Sequence, residues 1–307
     1  NSRSPTIAAD GIKVNGCLHF NGNFISKGTV RLHGAKIGVS VNCTDGTFHN
    51  PDGVAIQVDS IKVGGYIFLR RNFSAQGLVI FHGANIGRSL EFCSRDGIRP
   101  SINGQLILNG SKISGNLAIH DPIWHKGSII RLNDAVVGVL WDKIASWPDQ
   151  GNIYLNGFRY ASIAQASSRS PHERLAWLAR QKDYPFFPQP YEQLARALKE
   201  SGHDLDSKEI LYTKSIRQHA LLSQKVLTKG NIPSEPVSFS TIIRWLWSCS
   251  LKMSVGFGYK PQFAAAWIIL FILIGTVTFS TLSNAMTTST YYINNKHNSL
   301  IKANNTL

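Results

Sequence analysis

The sequence is poor in charged residues and in paired cysteines. Only 16% of its 307 residues are charged, against about 25% in an average soluble protein. Its four cysteines, Cys17, Cys43, Cys93 and Cys249, form no C-x-x-C pair. This spacing excludes a zinc ribbon and a dense disulfide scaffold, and it predicts free thiols in a reducing compartment. The low charge, the 26 glycines and the apolar runs also argue against a disordered chain.

Motifs for catalysis are also missing. A dinucleotide site needs a G-x-G-x-x-G turn between a strand and a helix, and the nearest match, Gly256-x-Gly258, lacks the third glycine. No carboxylates are paired as general acid and base, and no serine has the spacing of a nucleophile elbow. The sequence therefore predicts no catalytic residue, no cofactor and no metal site, and it favours a protein that is not an enzyme without deciding the question.

What the sequence does contain is an internal repeat. Two series of similar segments alternate through the first half, and merging them gives an apolar position every 23 to 27 residues: Val14, Ile37, Val63, Ile86, Ile113 and Val137. The residues between these positions alternate apolar side chains with Gly, Asn and Asp, which indicates short strands and turns. The repeat predicts a mainly β fold with an N-terminal β-solenoid over residues 10–160, in six or seven coils of about 24 residues.

A helical cap is predicted to follow over residues 161–230. Ser170 and Pro171 suit the N-cap and first position of a helix, and Glu173 suits its third position. Further helices are expected from Tyr191 to Glu200, and from Asp204 or Asp206 to about Leu227. We expect these helices to close the end of the solenoid, where strand edges would otherwise be unpaired.

The run from Phe263 to Leu282 contains no charged residue over 20 positions, the length that a bilayer core requires. It predicts a transmembrane helix over residues 262–284 and a polar tail over 285–307, although a buried helix of a soluble domain has the same composition. Eight basic residues against two acidic ones lie between Lys208 and Lys260. The positive-inside rule therefore predicts a cytoplasmic solenoid on the inner membrane.

The segment 231–261 before this run is rich in large apolar residues with a few cations. It is interpreted either as an amphipathic helix lying in the membrane interface or as a helix packed on the soluble part. The residues expected at the interface are Arg244, Trp245, Trp247, Lys252, Lys260 and Trp267.

Three segments together resemble a known bacterial family. They are the coil type Asp-Gly-x-Lys-Val-x-Gly, the stretch from Gln189 to Leu198 with Ser201-Gly202-His203, and Trp245-Leu246-Trp247 followed by Gly256-Phe257-Gly258-Tyr259-Lys260-Pro261. In this order they resemble membrane-anchored repeat proteins, many of which are labelled membrane-associated oxidoreductases. The region before the apolar run also resembles the junction in pentapeptide-repeat proteins that carry an ion-channel-like module. The resemblance implies a repeat domain on a membrane anchor.

Two sets of polar residues recur in the repeat. One set is four lysines that each precede a core position: Lys13, Lys36, Lys62 and Lys112. They predict a basic stripe along one face that could hold phosphates of a lipid, a nucleotide or a nucleic acid. Ordinary solvated lysines on outward-facing strand positions are the favoured interpretation. His33 and His82 share one repeat position two coils apart. At about 10 Å that separation is too large for one metal ion, so a stacked turn ladder is favoured.

The leading functional hypothesis is a membrane-anchored scaffold without catalysis, whose solenoid recognises or assembles partners. Its expected partners are the lipid bilayer and a protein or a second copy of the chain, and nucleic acid is not favoured. The alternative is an oligomeric pore or channel-like effector gated by the solenoid, and a third hypothesis is an enzyme that matches the family label.

Overall fold

A computed structural model describes residues 5–182, 185–227 and 239–304. The strands are β1 (Ile7–Ala8), β2 (Lys13–Val14), β3 (Leu18–His19), β4 (Ile25–Lys27), β5 (Val30–Arg31), β6 (Lys36–Ile37), β7 (Val41–Asn42), β8 (Thr47–Gln57), β9 (Lys62–Val63), β10 (Ile67–Arg70), β11 (Ser74–Ile80), β12 (Asn85–Ile86), β13 (Leu90–Cys93), β14 (Ser101–Ile107), β15 (Lys112–His120), β16 (Ile123–Trp124), β17 (Ile129–Arg131), β18 (Val136–Asp142), β19 (Ile153–Tyr154) and β20 (Arg159–Ile163).

The helices are α1 (Pro171–Leu178), α2 (Gln189–Glu200), α3 (Asp204–Leu227), α4 (Phe239–Val255) and α5 (Gln262–Asn304). Two short 3₁₀ helices span Ile144–Ser146 and Gly256–Gly258. The contacts divide the chain into two compact units, Asn1–Gln218 and His219–Leu307. Each unit is described by itself.

The first unit is built on a β-solenoid, as the repeat predicts. Its strands form two sheets of nine and eleven strands, and the described strands pair in parallel. One sheet contains β1, β5, β8, β11, β14, β17 and β19 in that order, which is one strand from each of seven coils. The register runs from Ile7 through Val30, Ile56, Val79, Leu106 and Ile130 to Ile153, in steps of 23 to 27 residues.

The predicted apolar positions lie on top of one another in the second sheet. Val14 pairs with Ile37, Ile37 with Val63, and the ladder continues through Ile86 and Ile113 to Val137. All but Val14 in this ladder are buried. The repeat therefore places one apolar side chain per coil in the interior, where burial of apolar surface stabilises the stack.

An aromatic stack fills another part of the interior. The ring centroids of Phe48 and Phe73 are 5.6 Å apart, those of Phe73 and Phe92 are 6.3 Å apart, and Phe92 lies 5.2 Å from Trp124. Phe48, Phe73 and Phe92 are fully buried. Four successive coils thus contribute one large ring each, and these stacked rings join neighbouring coils through side-chain contacts in addition to the strand pairing.

One corner of each coil has a left-handed backbone. Gly11, Gly34, Gly83 and Gly110 adopt φ between 62° and 66° at equivalent positions, and Ser60 adopts 56° at the same corner. Glycine takes this conformation without the steric cost that a side chain brings. This is the physical reason why glycine recurs in the repeat.

Helices α1 and α2 cover the last coils of the solenoid. The side chain of Gln193 donates to the carbonyl oxygen of Tyr160 at 2.7 Å, and that of Gln189 donates to the carbonyl of Phe158 at 3.0 Å and accepts from the amide of Gly157. Side chains of α2 therefore bond to backbone amide and carbonyl groups of the last coil. In the middle of the solenoid, the next coil would bond to such groups. Helix α1 begins at Pro171 with Ser170 at its N-cap, but the Ser170 side chain forms no capping hydrogen bond.

A buried ion pair joins α1 to the solenoid. Nη1 and Nη2 of Arg174 lie 2.9 Å and 2.8 Å from the two carboxylate oxygens of Asp142, and both side chains are fully buried. Nε1 of Trp147 also donates to Asp142 at 2.7 Å, and Nε of Arg174 donates to the carbonyl of Ser168. Nearly every polar atom of the pair therefore has a partner, which a buried charge requires.

The second unit contains the end of α3 together with α4 and α5. Helix α4 begins at Phe239 and ends at Val255, within the predicted segment 231–261, of which residues 231–238 lie outside the described residues. Three consecutive residues with left-handed backbone, Gly256, Phe257 and Gly258, then turn the chain into α5. The Gly-x-Gly of the sequence therefore stands between two helices, not between a strand and a helix.

Candidate binding groove of the solenoid

The four lysines of the predicted stripe lie in one column. Lys13 pairs with Lys36 and Lys36 with Lys62 on neighbouring parallel strands, and Asn85 separates Lys62 from Lys112. All four lysine side chains are exposed. Because Asn85 interrupts it, the column is densest in the first three coils. There the spacing between neighbouring strands places the backbones of successive lysines about 4.8 Å apart.

An open groove runs beside this column. Lys13, Lys36 and Lys62 line it together with Asn85, and its floor includes Gly38, Gly64 and Gly87. A Cβ atom on Gly64 would overlap the carbonyl oxygen of Gly38, and one on Gly87 would overlap that of Gly64. Successive coils thus approach too closely at these glycines for any side chain, and the floor is bare main chain at these positions. We call this surface the lysine groove.

The lysine groove carries positive charge without neutralising partners. No carboxylate lines it, and within the described part of the chain Lys13, Lys36, Lys62 and Lys112 form no ion pair. Like charges directly opposite on neighbouring strands destabilise a sheet. The arrangement therefore leaves a repulsion that a bound anion would relieve.

Four other cations of the solenoid are paired across coils. Arg31 bonds to Asp10 at 2.8 Å, Arg71 bonds to Asp96 at 3.0 Å, and Lys143 bonds to Asp121 at 2.7 Å. Arg70 and Glu91 form a further ion pair. Acidic residues thus lie beside these four cations, whereas no acidic residue is among the described residues that line the lysine groove.

A patch that the sequence did not reveal follows the groove along the chain. The rings of Tyr66 and Phe68 stack at 5.3 Å with an angle of 15° between their planes. The Arg70 guanidinium lies 4.0 Å from the Phe68 ring centroid, and that of Arg88 lies 5.7 Å from Tyr66. Tyrosine, phenylalanine and arginine are enriched in protein interfaces. The sequence did contain one signal for this patch. Two aromatic residues spaced i, i+2 point to the same outward face of a strand, and the first of them follows Gly64 of the groove floor by two residues.

The two histidines of the repeat lie in a turn column shared with two aspartates. The backbone register gives the order Asp10, His33, Asp59, His82, because each successive turn bonds to the next coil at the same position. The amide of His33 donates to Asp10 at 3.0 Å. A hydrogen bond from Arg31 holds the pKa of Asp10 below its usual value. The sequence placed His33 with His82 at one repeat position, and the structure interleaves them with Asp10 and Asp59 in one alternating column.

Helix α4 has two different sides. Trp245 donates from Nε1 to Oγ of Ser223 in α3 at 3.0 Å. The other side of α4 exposes four large apolar side chains: Ile243 (50%), Leu246 (56%), Trp247 (66%) and Met253 (64%). Arg244 and Lys252 of this helix are also exposed. Because a soluble protein rarely exposes so many large apolar residues together, this side needs an apolar environment.

Helix α5 has one stretch, Gln262–Ser283, that is long and apolar enough to cross a membrane. None of this stretch is buried, and Ile268, Phe271 and Phe279 are 60%, 64% and 78% exposed. Trp267 donates from Nε1 to the carbonyl of Met253 at 2.9 Å, and Lys260 precedes the start of the helix. The helix continues to Asn304, through the predicted polar tail, whose side chains lie outside the described residues.

No family model, curated protein or solved structure matches this chain. The comparisons therefore support neither the oxidoreductase label nor the pentapeptide-repeat resemblance. What is established is the β-solenoid of about seven coils, the helices that follow it, and one helix compatible with a membrane span.

Proposed function

We propose that the protein is a membrane-anchored scaffold whose solenoid binds an acidic segment of a partner protein in the lysine groove. The observation that carries this proposal is the column of Lys13, Lys36 and Lys62, which is exposed, forms no ion pair with any residue that the structure describes, and lies beside a groove floor that contains three stacked glycines. An extended acidic chain would neutralise the column, and main-chain groups would be within reach of a partner that no side chain holds away.

The aromatic patch favours a protein partner over a simple anion. Tyr66 and Phe68 offer flat apolar surface beside Arg70 and Arg88, and such rings dominate the energy of protein interfaces. A second copy of the chain is a poor partner for the groove, because the chain has 32 basic and 18 acidic residues. A second copy of this net positive chain would therefore be repelled by the lysine groove.

Anchoring is proposed through α5, with α4 lying in the interface on its exposed apolar side. The basic residues between Lys208 and Lys260 support a cytoplasmic position for the solenoid on the inner membrane. The exposed Cys17 of the solenoid tests this position. A membrane-impermeant thiol reagent should label Cys17 after cell lysis and not in intact cells; labelling in intact cells would contradict the proposal.

The groove is tested by binding of fluorescent polyglutamate to the protein in nanodiscs of neutral lipid. We expect Lys36→Gln with Lys62→Gln to weaken binding at least tenfold at low salt, and the same pair of changes at Lys126 and Lys182, exposed lysines outside the column, to weaken it less than threefold. Equal effects of the two pairs would show non-specific attraction only. Tighter binding to anionic lipid vesicles than to polyglutamate would assign the groove to lipid instead.

An oligomeric pore remains the second proposal, because the exposed apolar surface of α4 and α5 could be covered by other copies. Light scattering of the detergent-solubilised protein, beside a chain ending at Lys260, separates the two proposals. A closed oligomer that dissociates on truncation favours the pore, and a monomer in both forms favours the anchored scaffold.

A further inference from the structure

One cysteine outside the solenoid contacts a histidine. Cys249 lies in α4, and its Sγ is 4.0 Å from Nε2 of His219 in α3. On the other side of the imidazole ring, Nδ1 lies 2.9 Å from Oγ of Ser248. These three side chains place a nucleophile, a base and a group that orients the base in the relation by which proteins activate a thiol.

The surroundings of His219 favour the neutral form of its imidazole. Its side chain is 9% exposed, and burial, followed by the positive charge of Lys252, lowers the pKa of His219. The ring of Phe257, held at a left-handed φ of 57° in the turn after α4, lies 6.1 Å from the imidazole. When Oγ of Ser248 accepts the proton of Nδ1, the lone pair of Nε2 is directed at the thiol.

The position of Cys249 in the unit indicates the kind of reactant. The thiol is partly exposed. Cys249 follows Leu246 by three residues and precedes Met253 by four, so it borders the exposed apolar side of α4, and α4 is followed in the chain by the helix that can span a membrane. Juxtamembrane cysteines and cysteines on amphipathic helices are the typical sites of reversible S-palmitoylation, in which an acyl chain is held as a thioester. A long acyl chain attached here would extend the exposed apolar surface of α4.

We propose that Cys249 is an S-acylation site that accepts an acyl group from a long-chain acyl thioester, with His219 as the base. The Sγ–H proton moves to Nε2 of His219 as sulfur attacks the thioester carbonyl. A new S–C bond forms, the S–C bond of the donor breaks, and the departing thiolate takes the proton from Nε2 and leaves as a thiol. No oxidant or reductant is needed, and the reaction does not depend on the lysine groove.

The experiment uses the full chain in detergent micelles with palmitoyl-coenzyme A, and peptide mass spectrometry measures acylation at each cysteine. Cys17 is the matched control, because it is exposed and its thiol forms no hydrogen bond with any residue that the structure describes. We expect Cys249 to be acylated at least tenfold faster than Cys17 and the product to be cleaved by hydroxylamine. Equal rates at the two cysteines would overturn the proposal.

The base is tested by His219→Gln, which should slow acylation of Cys249 about tenfold or more and leave Cys17 unchanged.

The unaltered protein gives a second test, whose result cannot be caused by misfolding of a variant. Between pH 8 and pH 6, reaction of an exposed thiol slows about tenfold per unit with its thiolate fraction. Cys249 should slow less, because His219 stays neutral below the usual histidine pKa. A constant ratio of the two rates would exclude His219 as the base.

Discussion

The end of the solenoid and its lysine groove use charge in opposite ways. Asp142 and Arg174 are fully buried, and each is bonded to the other by two hydrogen bonds. Lys36 and Lys62 are exposed, adjacent and without ion pairs among the described residues. A buried charge without a partner destabilises a fold strongly, whereas repulsion between exposed lysines costs little because water screens it. The first arrangement contributes to the fold, and the second leaves a surface that can bind.

The largest effect that this comparison predicts is at the buried pair. Arg174→Met should lower the free energy of unfolding by about 3–5 kcal/mol, because it leaves the Asp142 carboxylate buried without its cation. Urea denaturation followed by circular dichroism measures the change. Arg196→Met, at an exposed arginine of α2, is the control and should change stability by less than about 0.5 kcal/mol. Adding Asp142→Leu to Arg174→Met should recover part of the loss. A loss no larger than that of the control would contradict the role of the pair.

The next effect is at the floor of the groove. Gly64→Ala should destabilise the solenoid by about 1–3 kcal/mol, because the new methyl group overlaps the carbonyl oxygen of Gly38 and the coils must shift. Gly16→Ala is the control, since a Cβ atom there meets nothing within 4 Å. Thermal melts of the two variants measure the difference. If both melt alike, the coils are not packed against each other at this column.

A smaller effect, of the opposite sign, is expected at the lysines. Replacing Lys36 and Lys62 together by glutamine should raise the free energy of unfolding by roughly 0.5 kcal/mol, because it removes two cross-strand repulsions. The gain should disappear in 1 M salt, where the Debye length is about 3 Å. Lys143→Gln should instead lower stability, since Lys143 bonds to Asp121. A loss of stability in the double lysine variant would mean that these side chains support the fold.

The smallest effect is a titration. Burial, and then the charge of Lys143, lower the pKa of His120, which packs 4.6 Å from Trp141. The unfolded chain therefore binds the proton more readily than the folded one, and this contribution to stability falls as pH drops below about 6.5. NMR titration of the ring should show a midpoint below that value, and Lys143→Gln should raise it. A midpoint above 6.5 would contradict the prediction, because protonation of His120 would then stabilise the folded protein.

The sequence predicted the repeat, the helices and the apolar span, and it did not predict single contacts between residues far apart in the chain or outside the repeat. The ladder from Val14 to Val137 and the lysine column both follow from spacing, because parallel stacking places equivalent residues of successive coils side by side. Asp142 and Arg174 are 32 residues apart and belong to no repeat, so no pattern joined them. Tyr66 with Phe68, and Cys249 with His219, were missed for the same reason.

The sequence by itself determined that the chain coils, because an apolar residue returns every 23 to 27 residues, with a glycine at most of the corners, and stacked parallel strands bury such a period. It also determined that one helix is apolar enough to cross a bilayer. The tertiary structure alone decided which cations are paired and which remain free to bind, because pairing depends on side chains of different coils meeting within about 3 Å. That distance is a property of the folded stack and cannot be read along the chain.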